Sequence, residues 1–247
     1  MNPVMAYLHN FFFNVFPYIG LAVFLMGSLA RFDRDQYTWK SDSSQMLRAG
    51  TLRWGSNLFH IGILFLFFGH FVGLLTPHWF YEGFLTAAAK QRIAIYAGGV
   101  AGVICFVGLS LLLYRRLFDA RIRLTSHRTD IAILVILWVQ LALGLITLPF
   151  SYSHADGSAM LVLAEWAQGI VTFRPNADLL LGLAWPYLLH LILGMTIFLL
   201  FPFSRLVHVW SGFATVFYLF RPHQVVRSRR LNVPPGHNQP RQPGAGV

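Results

Sequence analysis

The chain has 247 residues, of which 56% are apolar or aromatic and only 11% are charged, whereas soluble domains carry about 25% charged residues. This composition excludes a water-soluble globule and a disordered chain. The one cysteine, Cys105, excludes a disulfide framework and a cysteine-ligated metal cluster, and we interpret it as a packing residue. An integral membrane protein remains. At about 20 residues per spanning helix, the length provides roughly five spans and no separate soluble domain.

Five apolar windows without charged residues predict five membrane-spanning helices, at about 11–30, 57–76, 93–114, 131–150 and 179–204. The windows are continuous and do not alternate, which favours helices over the strands of a barrel. We therefore expect an all-α integral membrane protein, a five-transmembrane-helix bundle over residues 1–220. The basic, Pro- and Gly-rich residues 221–247 predict a disordered cytoplasmic tail in contact with membrane lipid.

The basic residues predict the orientation of this bundle. Sixteen of the nineteen Lys and Arg residues fall on one side of the predicted membrane, and only Lys90, Arg92 and Arg174 fall on the other. The positive-inside rule then places the N-terminus outside and the C-terminus in the cytoplasm. The same topology explains the net charge of +10, so nucleic acid is not an expected partner. On the outer side, residues 160–173 read as a short amphipathic helix that either lies along the membrane or packs in the bundle.

Four histidines fall in the second and fifth apolar segments, where ionisable groups are costly and usually functional. They are His60 and His70 in the second, and His190 and His208 in the fifth. A lone membrane histidine often only hydrogen-bonds a neighbouring helix. Here the windows lack the carboxylates of a proton relay, and the spread along the helices argues against zinc.

The helix directions predict how these histidines pair. Antiparallel helices place His70 with His190 near the outer leaflet and His60 with His208 near the inner one. Each pair suits the two axial positions of one haem iron, which leaves no open position for oxygen and predicts electron transfer. His190 and His208 are 18 residues apart and return to the same helix face, whereas His60 and His70 are 10 residues apart and do not. We therefore expect a distortion of a helix, for which Pro202 is the candidate.

Several neighbouring residues have two interpretations from sequence. Gly62, Gly69, Gly73 and Gly194 either admit a flat macrocycle or let helices pack closely. Lys90, at the start of the third span, either hydrogen-bonds a quinol oxygen or a haem propionate, or extends to water as an interfacial anchor. Arg115, Arg116 and Arg205 either pair with propionates of the inner haem or only follow the positive-inside rule.

The sequence strongly resembles the gamma subunit of bacterial respiratory nitrate reductase, a dihaem cytochrome b membrane anchor, over about residues 5–215. The resemblance is carried by the strings YIGLAVFLMGS, SNLFHIGIL, GHFVGLLTPHW, HADGS and LLHLILGMTIFLLFPFSRLVHVW, together with the RRLF turn. It includes the spacing of all four histidines. The tail beyond about residue 221 is longer and richer in proline than the family leads us to expect.

This resemblance implies two b-type haems, a distal one on His70 and His190 and a proximal one on His60 and His208. It implies a quinol site with Lys90 and Gly69, and Arg116 is a candidate partner of a haem propionate. It further implies menaquinol or ubiquinol as the electron donor and a location in the bacterial inner membrane. The implied partners are an iron–sulfur beta subunit and a molybdenum-containing alpha subunit that reduces nitrate in the cytoplasm.

Two other functions are compatible with the residues themselves. One is a dihaem, quinol-oxidising anchor of a different membrane reductase. The other is a haem-free membrane scaffold or a transporter, although no broken-helix repeat of the kind that transporters show is present. The sequence alone gives neither the preferred quinone nor the haem potentials.

Overall fold

The computed structural model describes residues 2–35, 49–153 and 156–211, so the predicted tail at 221–247 lies outside the described residues. The described residues form helices and connecting turns. The α-helices are α1 (Pro3–Asn10), α2 (Phe16–Asp35), α3 (Ala49–Leu75), α4 (His78–Tyr81), α5 (Ala87–Phe118), α6 (Ala120–Leu124), α7 (Arg128–Ser153), α8 (Ser158–Val171) and α9 (Trp185–Leu200). A π-helical turn, Phe11–Val15, joins α1 to α2.

Within the described residues, five helical segments are long and apolar enough to cross a membrane, which confirms the predicted number. They run over Pro3–Arg34, Gly50–Leu75, Ala87–Phe118, Arg128–Ser153 and Trp185–Phe203. The fifth begins later than predicted because residues Ala177–Leu180 form a separate 3-10 turn before it. Pro186 lies in the first turn of α9, where the missing N–H of proline costs no helical hydrogen bond. The described part of the chain is therefore all-α, with helices that suit a membrane-integral protein.

The long helices pack in succession, with α3 along α5, α5 along α7, α7 along α9, and α9 along α2. The two ends of this bundle differ in the residues that they hold. We call one the Lys90 end, which contains the start of α5, the end of α7 and α8. We call the other the Asp130 end, which contains the end of α5, the start of α7 and the segment after α9.

Helices α3 and α5 make the closest contact of the bundle through small residues. A Cβ built on Gly62 would lie 2.5 Å from the Cβ of Cys105. One built on Gly108 would clash with the backbone nitrogen of Phe59 and lie 2.9 Å from the carbonyl oxygen of Gly55. Cys105 is fully buried in this contact, and its Sγ lies 3.6 Å from the carbonyl oxygen of Phe59. The interpretation of Cys105 as a packing residue is thus confirmed.

Helix α8 packs into the bundle at the Lys90 end. Its Trp166 and Ile170 are buried against Phe13 of the π-helical turn. The indole N–H of Trp166 donates a hydrogen bond to the carbonyl oxygen of Phe13 at 3.0 Å. Of the two alternatives for residues 160–173, packing within the bundle is the one that the structure shows.

The segment after α9 leaves the α-helical path. Two 3-10 turns, Phe201–Phe203 and Arg205–Val207, flank Ser204, whose backbone is extended. This break frees carbonyl groups from the helix, and Arg31 of α2 donates hydrogen bonds to two of them, on Pro202 at 2.7 Å and on Ser204 at 2.9 Å. The distortion expected at Pro202 is therefore present, as an end to the α-helix followed by 3-10 turns.

Candidate functional site: two histidine pairs and a buried lysine

The structure brings the four membrane histidines together in two pairs. The rings of His70 and His190 have their centroids 6.2 Å apart, with planes at 36°. The rings of His60 and His208 also have their centroids 6.2 Å apart, with planes at 72°. These are the pairs that the antiparallel helix directions predict. One member of each pair lies on α3, and the other lies on α9 or just beyond its end.

This ring separation fits one metal ion between two axial imidazoles. Two metal–nitrogen bonds of about 2 Å each, plus about 1 Å from each nitrogen to its ring centre, come to about 6 Å. No group of three or more His, Cys, Asp or Glu side chains within the described ranges could hold a metal ion. Two axial ligands for a metal whose remaining ligands come from a macrocycle match this arrangement better than a tetrahedral zinc site does.

The same nitrogen of each of the four rings is bound by the backbone. Nδ1 of each histidine donates to a backbone carbonyl oxygen. The acceptors are Ser56 for His60 at 2.7 Å, Leu66 for His70 at 2.7 Å, Gln140 for His190 at 3.1 Å and Arg205 for His208 at 2.7 Å. A histidine that binds a metal through one nitrogen usually donates the other N–H to a carbonyl or carboxylate. These bonds therefore require the tautomer with Nε2 unprotonated, and Nε2 of His190 accepts from the side-chain amide of Gln140 at 3.4 Å.

Gln140 and Gly144 of α7 shape the position of His190. Besides its carbonyl, Gln140 contributes its side-chain amide, which donates to the carbonyl oxygen of His190 at 3.1 Å. A Cβ on Gly144 would lie 3.0 Å from Cε1 of the His190 ring. Sequence reasoning missed both residues, because their contact with His190 is long-range and neither residue type is unusual in a spanning helix.

A buried ionic cluster lies at the Asp130 end. One of its members, Arg205, lies shortly before His208 in the chain. Asp130, in the first turn of α7, is 8% exposed. Its Oδ2 lies 3.3 Å from a guanidinium nitrogen of Arg116 and 3.5 Å from one of Arg205. Arg116 also donates to the hydroxyl of Ser126 at 3.0 Å. The sequence pattern indicates Arg116 and Arg205 as site residues but not Asp130, the carboxylate that joins them.

Lys90 is buried at the opposite end of α5, with 9% of its surface exposed. Its Nζ lies 3.9 Å from the centre of the Tyr81 ring and finds no hydrogen-bond partner within the described part of the chain. Burial, and then the neighbouring carboxylate of Glu82, raise the pKa of the Tyr81 hydroxyl above its usual value, so the ring is a neutral phenol at physiological pH. The contact is a cation–π interaction. This burial argues against the alternative in which Lys90 extends to water.

Two neighbouring residues fix the start of α5, on which Lys90 lies. The side chain of Gln91 donates to the carbonyl oxygen of Ser151 at 2.7 Å and accepts from the backbone N–H of Met160 at 3.3 Å. Gly157 has a φ of +93° and contacts the start of α5 so closely that a Cβ there would lie 2.6 Å from the carbonyl carbon of Ala87. Helices α5, α7 and α8 therefore hold the backbone of Lys90 in a fixed place.

Gly69, the other residue predicted for a quinol site, lies apart from these contacts. It lines an apolar groove of about 410 Å³ together with Ile61, Leu64, Phe65 and Phe68. A Cβ built on Gly69 would meet nothing within 4 Å, so its small size is not required for helix packing. Lys90 is not among the lining residues of this groove. The structure thus places Gly69 and Lys90 without a described contact between them.

The other glycines indicated by the sequence, Gly62, Gly73 and Gly194, differ in their surroundings. Gly62 packs against Cys105, which is helix packing. A Cβ on Gly194 would lie 3.2 Å from the side-chain nitrogen of Gln140, and one on Gly73 would lie 3.7 Å from the end of Met160. Gly194 therefore leaves room for the amide that contacts His190, whereas Gly73 makes an ordinary contact.

Comparison with known proteins identifies the family of the chain. The family model for the nitrate reductase gamma subunit matches residues 9–229. The respiratory nitrate reductase 1 gamma chain of Escherichia coli K12 is 55% identical, over 91% of this chain and 100% of that protein. The respiratory nitrate reductase 2 gamma chain of the same organism is 54% identical, over 92% of this chain and 100% of that protein.

A more distant relative extends the match beyond one organism. The nitrate reductase gamma chain of Bacillus subtilis strain 168 is 36% identical, over 87% of this chain and 96% of that protein. All of these matches run nearly the full length of the relatives, and the family match contains all four paired histidines and Lys90. The chain belongs to the nitrate reductase gamma subunit family, whose members are subunits of an oxidoreductase complex.

Proposed function

We propose that the chain is the cytochrome b subunit of a respiratory nitrate reductase, which oxidises membrane quinol at the Lys90 end and passes electrons to partner subunits at the Asp130 end. The observation that carries this proposal is the pairing of four histidines at two ring separations of 6.2 Å. Family membership favours this function over the anchor of a different reductase and over a haem-free scaffold or transporter.

His60 and His208 hold the proximal haem b in this proposal, and His70 and His190 hold the distal haem b. When bound, the two haems supply one-electron carriers at the two ends of the bundle. The backbone carbonyls that accept from each Nδ1 fix the ring orientations and keep each Nε2 unprotonated for ligation. Arg116 and Arg205, at the Asp130 end, are the candidate partners of carboxylates on the proximal haem.

Lys90 is the residue that we assign to the quinol. Its buried ammonium has no hydrogen-bond partner among the described residues, and a buried donor left unpaired is costly. A quinol oxygen would accept from it, which orients the headgroup at the Lys90 end. The resemblance adds Gly69 to this site, and its open surroundings leave space for a flat ring. Menaquinol and ubiquinol both present the required oxygen.

We place the Lys90 end at the outer face of the bacterial inner membrane and the Asp130 end at its cytoplasmic face, because sixteen of the nineteen Lys and Arg residues fall on the latter side. Oxidation of quinol then releases its protons outside while its electrons move inward. The test uses the exposed Val4 near the N-terminus. A membrane-impermeant maleimide should label Val4→Cys in intact spheroplasts, whereas labelling only after the membranes are opened would reverse the orientation. Cys105 is fully buried, so it adds little background.

The relatives are named as gamma chains of nitrate reductases, which supports an assembly of this chain with other subunits of such a complex. We propose an iron–sulfur beta subunit and a molybdenum-containing alpha subunit that dock at the Asp130 end. The exposed side chains of Phe118 and Leu124 there, 72% and 87% accessible, flank the arginines of α6 and provide an apolar and basic surface on which a subunit can pack.

The experiment that tests the haem assignment compares four single variants of the assembled complex. His60→Ala and His208→Ala should remove one and the same component of the reduced-minus-oxidised optical spectrum. His70→Ala and His190→Ala should remove the other. The control is His9→Ala, outside both pairs, which should keep both components. Loss of different components within one pair would contradict the proposal.

A further inference from the structure

We propose that Asp130 is a positioning residue that sets the reduction potential of the proximal haem by holding one negative charge between Arg116 and Arg205. This inference rests on the proposed function, since it requires a haem between His60 and His208. Asp130 contacts neither histidine in the structure. Its influence instead passes through the two arginines and the short segment that carries His208.

A chain of contacts leads from Asp130 to His208, the proposed ligand of the proximal haem. Oδ2 of Asp130 lies 3.5 Å from the guanidinium of Arg205. The carbonyl oxygen of Arg205 in turn accepts the Nδ1–H of His208 at 2.7 Å. Because this segment is a 3-10 turn and not a continuous α-helix, side-chain contacts contribute to fixing its position. Asp130 therefore holds the residue whose carbonyl orients the His208 ring.

The charge of the cluster of Asp130, Arg116 and Arg205 also acts on the proximal haem. One carboxylate faces two guanidinium groups, so the three side chains together carry one net positive charge. The side chains of Asp130 and Arg116 are each 11% exposed and that of Arg205 is 18% exposed, so water and salt screen these charges only weakly. A reduced haem carries one electron more than the oxidised haem. Positive charge nearby favours reduction, and the Asp130 carboxylate offsets part of that effect.

Removal of the negative charge and removal of a positive charge should shift the potential of the proximal haem in opposite directions. Asp130→Asn keeps the size of the side chain but removes its negative charge, so the midpoint potential of the proximal haem should rise. Arg116→Gln removes a positive charge from the same cluster, so the potential should fall. We choose Arg116 because Arg205 also supplies the carbonyl that binds His208. The expected shift is about tenfold in the equilibrium constant for reduction in each direction, or about 59 mV for a one-electron couple.

The experiment is an optical redox titration of the purified complex, with the proximal component identified as the one that His208→Ala removes. The distal component should keep its potential in both variants. Glu165→Gln provides the matched control, because it removes an equally charged side chain that is exposed on α8, at the Lys90 end. It should leave the proximal potential unchanged.

An unchanged proximal potential in both variants would overturn the proposal, and so would a shift of the same sign in both. If Asp130→Asn loses the proximal haem, Asp130→Glu should restore it, and Arg116→Gln still provides the shift. Failure of both would also overturn the proposal. A wild-type complex without two haem components would instead refute the proposed function, so the two failures are distinguishable.

Discussion

Gly144 of α7 lies directly against the ring of His190, so that a Cβ at this position would approach Cε1 of the imidazole to 3.0 Å. This is closer than ordinary van der Waals contact, and the ring has little freedom to move, since its Nδ1 donates to Gln140. Glycine, the smallest residue, is therefore required beside the ring of His190, and the first prediction concerns this position.

Gly144→Ala should weaken binding of the distal haem while leaving the proximal haem in place. The added methyl group pushes the His190 ring away from the position that its hydrogen bond and its pairing with His70 require. Haem content and the optical spectrum of the purified complex provide the measurement. The proximal component serves as the internal control. Full occupancy of both haems would show that α7 shifts to accommodate the methyl group.

Lys90→Met should slow quinol-driven haem reduction sharply although both haems remain. Methionine retains the apolar length of the side chain and removes the ammonium. Hydrogen bonds that involve a charged group contribute about 1.5–3 kcal/mol, which corresponds to about ten- to hundredfold in rate. Stopped-flow reduction by a quinol analogue measures the effect. Arg92→Met removes a basic side chain that is exposed two residues away, and it should react at nearly the wild-type rate.

Tyr81→Leu should slow the same reaction, whereas Tyr81→Phe should not. The aromatic face of Tyr81 holds the Lys90 ammonium at 3.9 Å, and phenylalanine keeps this face while leucine does not. Cation–π contacts are worth about 0.5–2 kcal/mol, so we expect a loss of about two- to thirtyfold for leucine. Equal losses in the two variants would assign the effect to the phenolic hydroxyl and not to the ring.

Gly108→Ala should destabilise the packing of α3 on α5. A methyl group at Gly108 would clash with the backbone at Phe59, and a backbone cannot move aside as a flexible side chain can. Overpacking of this kind costs about 1–3 kcal/mol, which should lower the thermal unfolding midpoint in detergent. The matched control is Gly98→Ala on the same helix, where a Cβ meets nothing within 4 Å. An equal loss of stability in both variants would contradict the close contact at Gly108.

The sequence predicted the five spans and the pairing of the histidines well, because both depend on simple local rules. An apolar window long enough to cross a bilayer identifies a helix by its composition alone. Once the helices alternate in direction, the order of His60 and His70 along one helix determines which partner each one meets. No side-chain detail is needed for either step.

Contacts between distant residues were not predictable in the same way. The sequence predicts a distortion at Pro202 between His190 and His208, but not that the α-helix ends at Leu200 and continues as 3-10 turns. The contacts of Gly144 and Asp130 depend on how each helix is rotated about its axis. Apolar segments without a clear helical period do not specify that rotation. The burial of Lys90 was likewise invisible, since lysine at a span end most often reaches water.

The hydrogen bonds of Arg31 affect the order in which the protein folds and binds haem. Through the bonds of Arg31 to the carbonyls of Pro202 and Ser204, the first of the described spanning helices supports the segment that carries His208, which is synthesised after all of those helices. His60 and His70 are synthesised early, yet each must wait for a partner from the far end of the chain. Haem insertion should therefore follow translation and helix assembly, and ribosome-bound chains that stop before α9 should acquire neither haem.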